Sequence, residues 1–202
     1  VSASREILQT LVPEAVFVDR DDGAALREAA QDCAAVLAGP GLGLGDDARR
    51  ALEAALEATV GRPVLLDADA LTLFAAAGGA LAGLARERPV VLTPHPGEMS
   101  RLTGAPVAAI REDPLGAARA LSASSGCVVL LKGAPSVVAA PDEPVLVNTV
   151  GSSDVAAAGM GDQLAGVIGA LLAAGHDART SAALGLFYSG RAADLAERGR
   201  SL

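Results

Sequence analysis

The chain has 202 residues, 51% of them hydrophobic but only 2% aromatic, so a sizeable core built from Ala, Val and Leu is expected. Sixteen Lys plus Arg against 24 Asp plus Glu give a formal charge of −8, which excludes the clustered basic footprint of a nucleic-acid binder. The longest apolar stretches are broken by Gly or charge well short of a membrane span, and no C-x-x-C or metal-ligand spacing involves Cys33 or Cys127.

An anionic ligand meets a repelling overall field here and needs local donors. Both cysteines read as small buried hydrophobes, Cys127 because it begins a strand. A reducing, cytoplasmic setting is therefore expected, and no charged-then-apolar leader follows Val1.

In chain order, residues 15–18 read as a short strand, 24–31 as a helix and 35–38 as a strand. Gly39-Pro40-Gly41-Leu42-Gly43 follows, either a tight turn or a loop whose backbone lines a ligand; its glycine spacing is not the dinucleotide fingerprint. The helix predicted at 47–59 carries Ala48, Ala51, Leu52, Ala55 and Leu56 on one face. A strand at 64–66 runs into Asp67-Ala68-Asp69. Asp69 is expected to cap a helix beginning near Ala70 and ending at Ala76. Asp67 stays open between a ribose contact, a metal-bound water and a structural role.

The strand at 90–92 leads into Thr93-Pro94-His95-Pro96-Gly97-Glu98 and a helix at 97–102. Two prolines fix the backbone around His95, and Glu98 at the helix start can polarise water on a divalent cation. Each also reads as ordinary chemistry, a loop histidine and a first-turn acid. Arg101, one turn further on, suits bidentate contact with a phosphate. A helix at 114–124 and a strand at 127–131 then end at Lys132, the only lysine in the chain. Its ammonium suits a nucleotide phosphate, with the Ser136 hydroxyl as a nearby donor. Strands at 137–139 and 145–147, with Pro141 and Pro144 between them, read as a hairpin ending at Asn148.

The following loop, from Gly151 to Met160, is short of bulky side chains and suits close wrapping of a flat ligand such as adenine. It closes on Gly159-Met160-Gly161-Asp162, ahead of a helix at 162–174. Glycines there permit close backbone approach, the helix start attracts an anion, and Asp162 adds a carboxylate able to take a proton from an attacking hydroxyl. Alone, the motif reads first as a glycine turn before an acidic helix start. Gly175 caps that helix, His176 is expected to face solvent, and a last helix occupies 180–198.

Alternating strands and helices predict an α/β fold with a mainly parallel central sheet and helices on both faces, in one domain spanning 1–202. Five clusters, at residues 39–43, 67–69, 93–98 and 132–133 and at Asn148, fall at carboxyl ends of predicted strands, where open parallel sheets bind ligands, so one shared cleft is expected.

Together these motifs resemble the nucleotide-dependent NAD(P)H-hydrate dehydratases, a branch of the ribokinase-like superfamily. The likeness runs from the 39–43 glycine loop through Asp67-Ala68-Asp69, Thr93 to Glu98, Lys132-Gly133 and Asn148 to Gly159–Asp162. It implies a ribokinase-like three-layer sandwich and a lyase that dehydrates hydrated NADH or NADPH at the expense of ADP, giving NAD(P)H, AMP and phosphate. By position, Gly41, His95, Pro96, Gly97, Glu98, Met99, Ser100, Arg101 and Asp162 would bind the hydrated dinucleotide, with Asp162 catalytic. Lys132, Gly133, Ala134, Pro135 and Ser136, then Ser152, Ser153, Asp154, Val155, Ala156, Ala157, Ala158, Gly159, Met160 and Gly161, would hold ADP. Glu98 would meet a Mg²⁺ ion through water.

The resemblance further implies a homo-oligomer, a tetramer in the family, with small-molecule partners only. Three departures stand out: Val150-Gly151-Ser152 replaces the usual Thr-Gly-Asn, Asp154-Val155-Ala156 stands where relatives often have Gly-Met-Ala and adds a negative charge beside the nucleotide, and the family's opening strand and helices have no counterpart before Val1, so an N-terminally incomplete domain is expected. Rival readings are a vitamin-precursor or sugar kinase, disfavoured by His95 where kinases carry Asn, and an inactive nucleotide-binding remnant.

Overall fold

Short runs of Val and Leu alternate with amphipathic stretches, and in the computed structural model, which describes residues 7, 9–77, 80–151 and 159–198, they form a six-stranded sheet. In chain order come α1 (Gly23–Gln31), β1 (Val36–Ala38), α2 (Asp46–Ala58), β2 (Val64–Leu66), α3 (Ala68–Ala76), α4 (Ala80–Glu87) and β3 (Val90–Leu92). Then follow α5 (Pro96–Thr103), α6 (Val107–Glu112), α7 (Pro114–Ser125), β4 (Val128–Leu131), β5 (Val137–Ala139), β6 (Leu146–Val147), α8 (Met160–Ala173) and α9 (Ala178–Arg198).

The spatial strand order is β1-β2-β3-β4-β5-β6. Strands β1 to β4 are parallel, with Leu66 opposite both Ala38 and Leu92; β5 and β6 form the expected antiparallel hairpin against β4. The central strands are apolar at every position because both faces are covered. Val64, Leu66, Val90, Leu92, Val129 and Leu131 point into one core with Leu52, Leu71, Leu81, Met99, Ile110 and Leu121 of α2 to α7. Leu65, Val91, Leu130 and Val138 point into the other, against Leu164, Ile168 and Leu172 of α8 and Ala182 of α9. The two-residue period of a strand therefore divides one sequence between two cores and gives the three layers. Each fully buried Leu or Val contributes about 1.5–3 kcal/mol.

Two expectations need correcting here, and two helices went unpredicted. Residues 15–18 form no strand: β1 pairs only with β2, Val16 is 88% exposed, and an extended run without a partner makes no ladder. Cys33 is exposed, in the turn between α1 and β1, whereas Cys127 is buried as expected. Helices α4 and α6 were not predicted, since Gly83 interrupts the first and the second is one short turn and a half after Pro106. Among the described residues, no single helix is long and apolar enough to cross a membrane.

Candidate active site

Five loop starts meet at one edge of the sheet: Gly39 after β1, Asp67 after β2, Thr93 after β3, Lys132 after β4 and Asn148 after β6. Backbone bonds continue the ladder past the strands and fix these starts relative to one another. Asp67 N–H donates to the Ala38 carbonyl (3.0 Å), Thr93 N–H to Leu66 (3.2 Å) and Lys132 N–H to Pro94 (2.8 Å). Asn148 N–H likewise donates to Ser136 (3.0 Å). The shared edge expected from the sequence is present.

Lys132 carries the main ionic feature. Its Nζ donates to Asp67 Oδ1 at 2.7 Å and lies 3.8 Å from Glu98 Oε2. Asp67 is 2% exposed, and Glu98 is also buried. Asp67 is thus paired with the lysine. Asp69 does not cap a helix, because α3 begins at Ala68; its Oδ2 instead accepts the Gly43 N–H at 2.8 Å and ties the glycine loop to α3. Gly39 is required by contact, since a Cβ there would stand 1.7 Å from the Asp67 carbonyl oxygen. Gly41, at φ +64, has open space around it.

The His95–Arg101 segment divides its tasks. His95 is the N-cap of α5: its Nδ1 accepts N–H bonds from Gly97 (2.9 Å) and Glu98 (3.3 Å), and Glu98 Oε2 accepts the His95 N–H (2.8 Å). That reciprocal box, with Pro96 in the first turn, fixes the imidazole more than the flanking prolines do. His95 and Arg101 remain exposed. Met99 is fully buried in the core, and Ser100 Oγ donates to the Ala105 carbonyl (2.7 Å), so these two side chains serve the helix and its packing. His176 is exposed, as expected.

A cavity of about 700 Å³ opens beside Lys132, lined by Lys132, Gly133, Ala134, Pro135, Ser136, Met160 and Gly161 from the expected nucleotide set. Asn148, Thr149, Val150 and Gly151 join them, with Leu164 of α8 and Leu186, Ser189, Gly190 and Ala193 of α9. Among the described residues, Lys132 is the only charged side chain in that lining. The Ser136 hydroxyl closes its own turn, donating to the Gly133 carbonyl (2.8 Å) and accepting the Gly133 N–H (3.1 Å). A second concavity of about 580 Å³ lies between α1 and α2, but Arg20 there pairs with Asp47 and Arg27 with Glu57, and it contains none of the expected site residues.

The contribution of α9 was invisible in the sequence, because no motif marks it. One signal was present: Gly190, inside a long helix, lets the loop lie against it, for a Cβ on Gly190 would stand 2.7 Å from the Val150 carbonyl and one on Gly151 would stand 2.9 Å from Gly190 Cα. Residues Ser152, Ser153, Asp154, Val155, Ala156, Ala157 and Ala158 lie outside the described residues.

Helix α8 starts at Met160 behind Gly159, which holds φ +88. The helical ladder begins with Gln163 N–H donating to Gly159 (3.0 Å), so the amides of Gly161 and Asp162 have no intrahelical acceptor. A Cβ placed on Gly161 would lie 3.7 Å from Lys132 Nζ, which sets the ammonium beside the first turn of α8. Asp162 is exposed on that turn, and its side chain makes no ion pair or hydrogen bond with a described residue. An ammonium, first-turn amides and a positive helix end on one side of a cavity are the elements of an anion site.

Among the described residues, no group of three or more His, Cys, Asp or Glu side chains is placed to hold a metal ion. Asp67 and Glu98 are both engaged with Lys132. Glu98, the more distant of the two from the ammonium, is the carboxylate that fits a Mg²⁺ ion carried in by phosphates with its waters, which takes one or two carboxylates rather than a closed protein cage.

The model of a family described as NAD(P)H-hydrate dehydratase matches residues 2–202. A bifunctional NAD(P)H-hydrate repair enzyme of Mycobacterium leprae is 48% identical over 157 residues, covering 78% of this chain and 32% of the relative. An ADP-dependent (S)-NAD(P)H-hydrate dehydratase of Neisseria meningitidis is 40% identical over 181 residues, covering 89% of this chain and 60% of the relative. The chain thus spans about a third to three fifths of the length of these relatives. Among solved structures, an ADP/ATP-dependent NAD(P)H-hydrate dehydratase of Bacillus subtilis, co-crystallized with ATP and Mg²⁺, superposes with a TM-score of 0.76 at 29% identity, over 96% of this chain and 68% of that one. The three-layer α/β arrangement is the ribokinase-like one. On these matches the chain belongs to the NAD(P)H-hydrate dehydratase family.

Proposed function

We propose that the protein dehydrates hydrated NADH and NADPH at the expense of ADP, releasing AMP and phosphate. The observation that carries this reading is the meeting of Lys132, the only charged group among the described residues that line the large cavity, with the first turn of α8, which bears Asp162. The ADP dependence named for the Neisseria relative supports it. In this reading 132–136 and 152–161 hold ADP, with Lys132 and the helix start at its terminal phosphate. Gly41, residues 95–101 and Asp162 face the dinucleotide, the buried Met99 through its backbone alone.

Asp162 accepts the proton of the hydrate hydroxyl as that oxygen attacks the terminal phosphorus of ADP. The bond from that phosphorus to the bridging oxygen breaks, and AMP leaves. The helix-start amides and Lys132 offset the charge that develops on the phosphoryl oxygens. The ring carbon–oxygen bond then breaks, phosphate departs, and the neighbouring ring carbon loses a proton to restore the reduced nicotinamide. Mg²⁺, when bound, neutralises phosphate charge, and Glu98 would meet it through water. We read residues 1–202 as one domain of a cytoplasmic homo-oligomer; exposed Phe187, Tyr188 and Leu195 on α9 support self-association.

The test is incubation of the full-length protein with hydrated NADH and ADP, following the return of reduced-nicotinamide absorbance with stoichiometric phosphate and AMP. A phosphorylated product that accumulates instead would support the kinase reading. ADP binding without turnover would support the inactive remnant.

A further inference from the structure

Asp67 is missing from the cavity lining and is buried, yet its carboxylate touches Lys132, the one charged group among the described residues that line the cavity. It therefore stands behind Lys132 as seen from the cavity. Its surroundings leave it little freedom. Asp67 N–H is bonded to Ala38, its carbonyl is packed against Gly39, and the next residue, Ala68, holds φ +45, a conformation that L-residues adopt only when their surroundings impose it. Lys132 is held just as firmly at its own backbone by Pro94. A lysine is a point charge on a flexible stem, so it marks a defined spot only when a partner fixes it. Asp67 lies at 2.7 Å and Glu98 at 3.8 Å, so Asp67 is the nearer anchor.

We propose that Asp67 is a positioning residue: its carboxylate fixes the Lys132 ammonium beside the first turn of α8, so that a bound diphosphate is presented to Asp162 in one geometry. This rests on the reading of the cavity as an ADP site. Attraction alone would need only the lysine. Presentation needs the pair, because displacement of a reacting group by about 1 Å can cost about 10²-fold in rate.

The test uses the full-length wild type, Asp67→Asn, Lys132→Met and the double variant. Each is assayed for kcat and KM for ADP and observed by NMR of the ¹⁵N-labelled lysine ammonium, assigned by its loss in Lys132→Met. In the wild type the ammonium is expected to give a sharp signal that ADP shifts. In Asp67→Asn the signal should broaden, kcat should fall about 10- to 100-fold, and KM should change far less. Asp67→Asn should add nothing to kcat in the Lys132→Met background, because it acts through the lysine. An unchanged ammonium signal in Asp67→Asn, or an equal loss of kcat in both backgrounds, overturns the proposal. If Asp67→Asn alone does not fold, comparison of the neutral double variant with Lys132→Met decides: equal kcat supports positioning, and a further loss refutes it. A wild type whose ammonium responds to ADP while no hydrate turns over defeats the dehydratase reading, and the broadening in Asp67→Asn then tests the positioning by itself.

Discussion

Gly161 and Cys127 show how single residues separate fold from function. Among the described residues, a Cβ on Gly161 meets only Lys132 Nζ, at ordinary contact distance, and alanine favours a helix over glycine by up to about 1 kcal/mol. Gly161→Ala should therefore keep or raise the melting temperature while weakening ADP binding measured by calorimetry, because the methyl stands where a phosphate would approach. Burial pushes the Cys127 thiol up to about 11, against a lowering hydrogen bond with Ser125. One thiol, the exposed Cys33, should therefore react with a disulfide reagent at pH 8 in the native protein, and two after denaturation. At this scale the sequence was partly readable. Lys132 announced itself by being the only lysine. Asp67 could not be read as its partner, since 65 residues separate them and only the sheet brings them together. Cys33 was misjudged because apolar character does not reveal whether a turn covers it.

Helix ends carry the next level of control. Asp177 precedes α9, and its Oδ1 accepts the Thr180 N–H at 2.9 Å. The Thr180 side chain, then its backbone N–H, hold the Asp177 carboxyl below its ordinary value. A depressed carboxyl contributes stability that is present above its unfolded value of about 3.8 and is lost as pH falls through the lower folded value. Asp177→Ala should therefore cost about 1 kcal/mol at pH 7 in urea unfolding, and the difference from wild type should shrink below about pH 4. The elements with strong punctuation were legible. Strands β2, β3 and β5 fall where alternating core contacts demand, and Gly104 caps α5 at φ +74. Residues 15–18 have a strand's composition without a strand's partner, and a ladder is a property of two segments. The short helix α6 is held by Ile110 in the core, a tertiary cause that periodicity over six residues does not reveal.

Across the molecule, one sheet sorts chemistry from packing. Its two faces are buried under helices, and its carboxyl edge gathers the glycine loop, the acid pair, the lysine and Asn148. The edge was foreseeable from strand order alone, whereas the cavity wall contributed by α9 arises from how the last helix packs on α8. Because ADP is proposed to bind only the folded cleft, a hundredfold excess over its Kd should stabilise the protein by about 2.7 kcal/mol, read as a raised melting temperature. The central claim is that Asp162 is the base of a dehydration driven by ADP. Its most direct test compares wild type with Asp162→Asn for ADP-dependent return of reduced-nicotinamide absorbance from hydrated NADH, with ADP affinity and melting temperature measured alongside. The expected result is a loss of about 10²- to 10⁴-fold in turnover with affinity and stability nearly unchanged. Wild-type turnover in Asp162→Asn would contradict the account.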